Sequence, residues 1–149
     1  GYISVVTHCP YDGAVSAQAV LDMAEAMLDM GCYEISLGDT TGHATPETVS
    51  ALLDLVAKKL PPKILVGHFH DTRNRAVENV MICLEYGVRK FDASVSGLGG
   101  CPFSPGAKGN VSTKLLHDKL SEKGWHTGLD RQALEKSEAL VAQMGITPR

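Results

Sequence analysis

The sequence predicts an α/β protein of four parallel strand–helix units followed by one further helix. Three observations predict it. Short β-branched runs alternate with stretches of helical period. A polar cluster follows each strand. The opposite loops, such as Lys59-Leu60-Pro61-Pro62, carry no such cluster. Strands alternating with helices imply a parallel sheet with helices packed outside it.

Tyr2 to Thr7 (YISVVT) reads as the first strand. Ser16 then caps a helix that carries Val20, Ala24, Met27 and Leu28 on one face and ends at Gly31. Tyr33 to Leu37 is the second strand, and Thr45 with Pro46 opens the second helix. Val49, Leu52, Leu53 and Val56 form its apolar stripe. Lys63 to His68 is the third strand, before a helix carrying Ala76, Val77, Val80, Met81 and Leu84 that stops at Gly87. Arg89 to Val95 is the fourth strand, followed by a glycine-rich loop from Ser96 to Asn110. Leu115, Leu116 and Leu120 mark the next helix, closed by Gly124. The last helix runs from about Arg131 to Met144, with Asp130 as its cap.

Two architectures fit this pattern: an open doubly wound sheet, or half of a (β/α)₈ barrel. A complete barrel takes about 250 residues, so a chain of 149 residues cannot close one alone. The first residues enter a strand abruptly, which leads us to expect missing upstream sequence. They lack a basic region and a long apolar stretch, so no signal peptide is expected. Residues 1–149 are expected to form one partial domain.

The composition, 44% hydrophobic and 21% charged, is that of a globular domain with a packed core. A net charge of −3 points away from nucleic acid and anionic membranes as partners. No apolar run approaches the roughly 20 residues of a membrane span. Cys9, Cys32, Cys83 and Cys101 form no C-x-x-C pair, which suits a reducing compartment and free thiols.

Parallel α/β folds place their sites at the carboxyl ends of the strands. Four polar clusters fall there: His8-Cys9-Pro10, Gly38-Asp39-Thr40-Thr41-Gly42, His68-Phe69-His70-Asp71-Thr72, and the loop beginning at Ser96. His68 and His70 are two apart at a strand end, so extended backbone projects both imidazoles from one face. Two neutral imidazoles can grip a divalent cation; a metal-free hydrogen-bonded pair is the plain alternative. For a hard cation such as Mg²⁺ or Mn²⁺ the remaining ligands should be oxygens, and Asn110 is a candidate. Its alternative is a helix N-cap. Asp39 is a candidate acid, base or orienting group, against a simple turn or cap. The loop holds five glycines and two prolines between Gly97 and Gly109, as expected of a lid. Cys101 on it is a candidate acid/base group or nucleophile. His8 and His43 lie at the same edge. His117 is expected to be solvated, and His126 to be a packing or turn residue.

Together C-Y-E-I-S-L-G-D-T-T-G, H-F-H-D-T and S-V-S-G-L-G-G-C-P-F-S-P-G-A-K-G-N resemble the hydroxymethylglutaryl-CoA lyases. C-P-Y-D-G and His126-Thr127-Gly128 add support, so the resemblance covers essentially the whole chain. It implies the C-terminal half of a TIM (β/α)₈ barrel with an extra C-terminal helix. It implies cleavage of 3-hydroxy-3-methylglutaryl-CoA to acetyl-CoA and acetoacetate, with Mg²⁺ or Mn²⁺. By position, His68, His70 and Asn110 would be metal ligands. Cys101, Asp39 and His68 would be catalytic, and Ser36, Thr40 and Cys9 would line the acyl pocket. It further implies a small-molecule acyl-CoA partner and a homodimer for the intact enzyme. Its compartment would be the bacterial cytoplasm or the mitochondrial matrix.

The sequence departs from the family in two places. The first barrel strand of the family supplies an aspartate ligand and a neighbouring arginine, and no segment here corresponds to them. An acidic pair usually follows the asparagine, where this chain has Lys114 and Leu115. Little lyase activity is therefore expected of the chain alone. The alternatives are a related barrel aldolase, a Claisen-type synthase, or a non-catalytic half-barrel module.

Overall fold

The computed structural model describes residues 1–101 and 108–146. In chain order the strands are β1 (Tyr2–Ile3), β2 (His8–Cys9), β3 (Gly13–Ala14), β4 (Ile35–Asp39), β5 (Leu65–Phe69) and β6 (Lys90–Asp92). The helices are α1 (Ala17–Asp29), α2 (Pro46–Lys59), α3 (Ala76–Glu85), α4 (Thr113–Glu122) and α5 (Arg131–Gln143). Short 3₁₀ turns occupy Pro62–Ile64 and Val95–Gly97.

The main sheet has the order β1-β4-β5-β6, and every pairing is parallel. Each strand thus lies beside its neighbour in the chain. A doubly wound sheet reverses its order at a switch point; the described strands do not. This is the wall of a barrel, and the chain forms half of one. α1 packs on α2 and α2 on α3, as consecutive helices of an outer ring do.

Local chemistry explains the helix ends. The Ser16 hydroxyl accepts from Ala19 N–H, and Thr45 and Thr48 form a reciprocal capping box. Lys58 and Lys59 face the negative end of α2. Asp130 accepts from Gln132 and Ala133 at the start of α5. Ser112, not Asn110, caps α4, accepting from Leu115 N–H.

The strands are shorter or shifted relative to expectation. β1 stops early because Val5 turns to a φ of 54°. β4 starts at Ile35 and runs on to Asp39. β6 ends at Asp92, after which Ser94 pairs with the 111–113 segment. The hairpin of β2 and β3 was not expected, although Pro10-Tyr11-Asp12-Gly13 is turn chemistry.

Alternation along the strands separates two faces. Ile35, Leu37, Leu65 and Phe69 join Val49, Leu53, Val56 and Val80 in the core between sheet and helices. Tyr2, Ser36, Val66, Lys90 and Asp92 line a cleft of about 450 Å³ on the other face. Leu53 is 1% exposed, so Leu53→Ala should cost about 2–5 kcal/mol, read by urea denaturation. An unchanged midpoint would mean that α2 does not pack on this sheet as described.

Candidate active site

His68 is on the cleft face of β5, and His70 follows one residue past the strand end. Their ring centroids are 5.5 Å apart, with planes tilted by 43°. The expected common face is therefore observed. Asn110 reaches them from 40 residues away by a backbone zipper. Asp71 N–H donates to Gly109 O at 2.8 Å and Val111 N–H to Phe69 O at 3.1 Å. Between these two bonds, His70 and Asn110 form an antiparallel bridge.

The Asn110 side chain is oriented by its own nitrogen. Nδ2 donates to Leu98 O at 2.9 Å, which leaves Oδ1 as an acceptor without a hydrogen bond among the described residues. Since Ser112 does the capping, this amide is available for another task. The loop base beside it is close-packed: a Cβ on Gly109 would fall 1.4 Å from Gly99 O. Only glycine lets the two sides of the loop meet there. A cavity of about 190 Å³ opens beside Asn110, lined by Asp71, Ser96, Gly97 and Lys108 among others.

His68 Nδ1 lies 3.1 Å from Asp92 Oδ2, so its free ring nitrogen is Nε2. His70 is buried, and burial, with the charge of His68 second, lowers its pKa from the ordinary 6.5. A histidine kept neutral is ready to act as a ligand. Tyr2 meets His68 edge-on at 6.1 Å. The negative charge of Asp92, with burial second, raises the Tyr2 phenol above its usual value.

These donors fit a divalent cation as a partial shell: two imidazoles and one amide oxygen. Among the described residues no group of three His, Cys, Asp or Glu side chains could hold a metal. The neighbouring carboxylates are engaged elsewhere. Asp71 Oδ1 accepts from Ala76 N–H at the start of α3, and its Oδ2 is 4.0 Å from Lys108. Asp39 accepts from the backbone of His43 and Ala44, each at 3.0 Å. Burial still raises the Asp39 pKa, because those bonds only partly offset desolvation.

The family model described as HMGL-like matches residues 2–141. The chain belongs to the HMGL-like family. It is 49% identical over 146 residues to the hydroxymethylglutaryl-CoA lyase of Pseudomonas mevalonii, covering 98% of this chain and 46% of that protein. It is 48% identical to the mitochondrial hydroxymethylglutaryl-CoA lyase of Gallus gallus, covering 90% of this chain and 45% of the relative. The structure of the HMG-CoA lyase from Brucella melitensis superposes with a TM-score of 0.93 at 51% identity, covering 97% of this chain and 51% of that one. The chain spans about half the length of the curated relatives it matches.

In this HMGL-like chain the structure brings together His68, His70 and Asn110, with Asp92 behind His68. Cys101 is a half-buried free thiol two residues beyond Gly99, whose carbonyl accepts from Asn110 N–H. The expected lid rests on residues 102–107, which lie outside the described residues. Ser36 is buried and donates to Asp92. Thr40 Oγ1 accepts from Val5 N–H, and Cys9 Sγ donates to Asp12. No hydrogen bond joins Cys9 or Thr40 to the histidine pair among the described residues. His8 and His43 stack at 4.4 Å, and Arg73 donates to His43 Nε2. His117 differs from expectation: its Nδ1 meets Thr127 Oγ1 at 2.6 Å and ties α4 to the following turn. Asp92 was not expected at the site. A carboxylate amid a short parallel strand is unusual enough to have marked it.

Because the folded chain holds His70 below 6.5, the unfolded chain binds the extra proton as pH falls. The His70 contribution to stability is thus complete above about pH 6.5 and declines below it. An NMR titration should place the His70 midpoint below 6.5, and His68→Ala should raise it only part of the way, burial being the larger cause. A wild-type midpoint at or above 6.5 would contradict this environment.

Proposed function

We propose that the chain forms the metal-bearing half of a carbon–carbon lyase that cleaves 3-hydroxy-3-methylglutaryl-CoA to acetyl-CoA and acetoacetate. One observation carries the reading: His68, His70 and Asn110 converge at one rim in a chain so similar, nearly end to end, to proteins named for that activity. The structure of an HMG-CoA lyase from Acinetobacter baumannii holds coenzyme A and 3-methylmalate, and supports a CoA thioester as the ligand class.

His68 would bind through Nε2, His70 through its neutral ring and Asn110 through Oδ1. A bound Mg²⁺ or Mn²⁺ supplies Lewis acidity that makes the tertiary hydroxyl easier to deprotonate and fixes the substrate. In the cleavage the hydroxyl loses its proton and its oxygen becomes the ketone of acetoacetate. The electron pair of the broken bond goes to the acetyl-CoA enolate, which then takes a proton at carbon. We assign Cys101 as that proton donor. Its loop is fastened to Asn110 through Gly99, which keeps the thiol two residues from a backbone contact of the proposed ligand.

Asp39 is assigned an orienting role. Its carboxylate holds the 43–44 backbone, and its main chain accepts from His70 N–H. Ser36, Thr40 and Cys9 are proposed for the acyl pocket, Ser36 from the cleft face one layer before His68 and the other two from the rim. The homodimer belongs to the same proposal, with α5 and its C-cap offering exposed Leu140 and Met144.

Three donors leave room for oxygens from substrate and from segments beyond this chain, so the chain alone should turn over little substrate. In the longest polypeptide that carries it, His70→Ala and Cys101→Ala should each lower kcat/KM for 3-hydroxy-3-methylglutaryl-CoA by about a hundredfold or more. Wild-type rates in both would remove the proposed site. Aldol or Claisen turnover in place of cleavage would move the chain to a sister activity.

A further inference from the structure

The carboxylate of Asp92 joins three strands of the sheet. It projects from β6 in register with His68 of β5, on the cleft face. Its Oδ2 lies 3.1 Å from His68 Nδ1 and 3.0 Å from the Oγ of Ser36 on β4. Ser36 is only 4% exposed, so its hydroxyl has few other partners. Lys90, the nearest cation along β6, pairs with Glu34 instead. Asp92 therefore faces the His68 ring and the Ser36 hydroxyl, with the Tyr2 phenol as a third hydrogen-bonding neighbour, and no competing ion pair among the described residues.

We propose that Asp92 is a positioning residue: it holds the His68 ring in the Nδ1–H tautomer, with the Nε2 lone pair turned toward the cation, while Ser36 pins the carboxylate. The inference rests on the reading of His68 as a ligand and names the group that makes it one. A carboxylate accepts and cannot donate, so the ring must present N–H to it. The proton then sits on Nδ1, and Nε2 is left as a lone pair. Hydrogen bonding of the distal nitrogen also makes the ligating nitrogen more basic and stops the ring from turning. Ser36 adds a second bond to the same oxygen, so the carboxylate is itself oriented from a strand that is not next to β6.

The arrangement accounts for two features that the substrate-lining assignment leaves without a cause. One is a carboxylate within a three-residue parallel strand. The other is a buried serine whose hydroxyl points along the sheet, from β4 to β6, rather than into the 190 Å³ cavity beside Asn110.

Long-range ¹H–¹⁵N correlation of the imidazoles tests this on the chain as it stands. Wild type should show His68 as Nδ1–H. Asp92→Ala should move it toward the Nε2–H form that free imidazole side chains favour in water, and Ser36→Ala should do so partially. Mn²⁺ affinity, read by water-proton relaxation, should fall about ten- to a hundredfold in Asp92→Ala, and Asp92→Glu should restore part of it. An Nε2–H tautomer in the wild type overturns the inference without any variant. So does an unchanged tautomer in an Asp92→Ala chain whose backbone spectrum is intact. Failure of the underlying ligand reading is separately visible, as a His68→Ala chain that binds Mn²⁺ as well as wild type.

Discussion

The register of three parallel strands is the constraint on which the site depends. Gly38, His68 and Asp92 stand side by side across β4, β5 and β6. Parallel pairing sends the carboxyl ends of all the strands to one rim, so groups far apart in sequence meet without any long-range design of their own. Alternation then sorts them, with apolar side chains toward the helices and polar ones toward the cleft. A slip of one residue in β5 would carry His68 and His70 into the helix layer and bring Phe69 out. The core prevents that slip: Leu65 and Phe69 are almost wholly buried, and they hold the strand in phase.

Much of this was legible locally. Helix caps act over three or four residues, and Ser16, Thr45 and Asp130 do what their positions suggested. The i, i+2 spacing of His68 and His70 needed only extended backbone to put both rings on one face. Strand limits were less legible, because an apolar run does not say where the ladder begins. β4 starts two residues later than its pattern, leaving Tyr33 exposed, and β1 breaks at Val5. The role of Asp92 was invisible for another reason. Its partners are 24 and 56 residues away, and only the strand order places them together. Sequence reading also left Asn110 divided between cap and ligand. The Ser112 cap two residues on removes the cap reading and leaves the amide oxygen without a hydrogen bond among the described residues.

The carboxylates show how folding and chemistry compete for the same groups. Asp39 and Asp71 both lie at strand ends, where a metal or substrate would find them, yet each is occupied by backbone amides. Each unmet N–H at a buried helix start or loop is costly, so these aspartates stabilise the scaffold that the histidines stand on. The donors left at the rim are neutral ones. A shell of two imidazoles and an amide carries no charge to neutralise a divalent cation, and oxygens from substrate or from another part of a barrel would complete it. That fits a chain that spans about half the length of its HMG-CoA lyase relatives.

The proposed site requires that His68, His70 and Asn110 address one cation. Titrating the ¹⁵N-labelled chain with sub-stoichiometric Mn²⁺ asks this directly, since paramagnetic broadening falls off steeply with distance. The two imidazoles and the Asn110 side-chain amide should broaden first and together, and excess Mg²⁺ should restore them. Broadening that begins instead at a surface cluster such as Asp118 and Glu135, with the three site residues unchanged, would contradict the account.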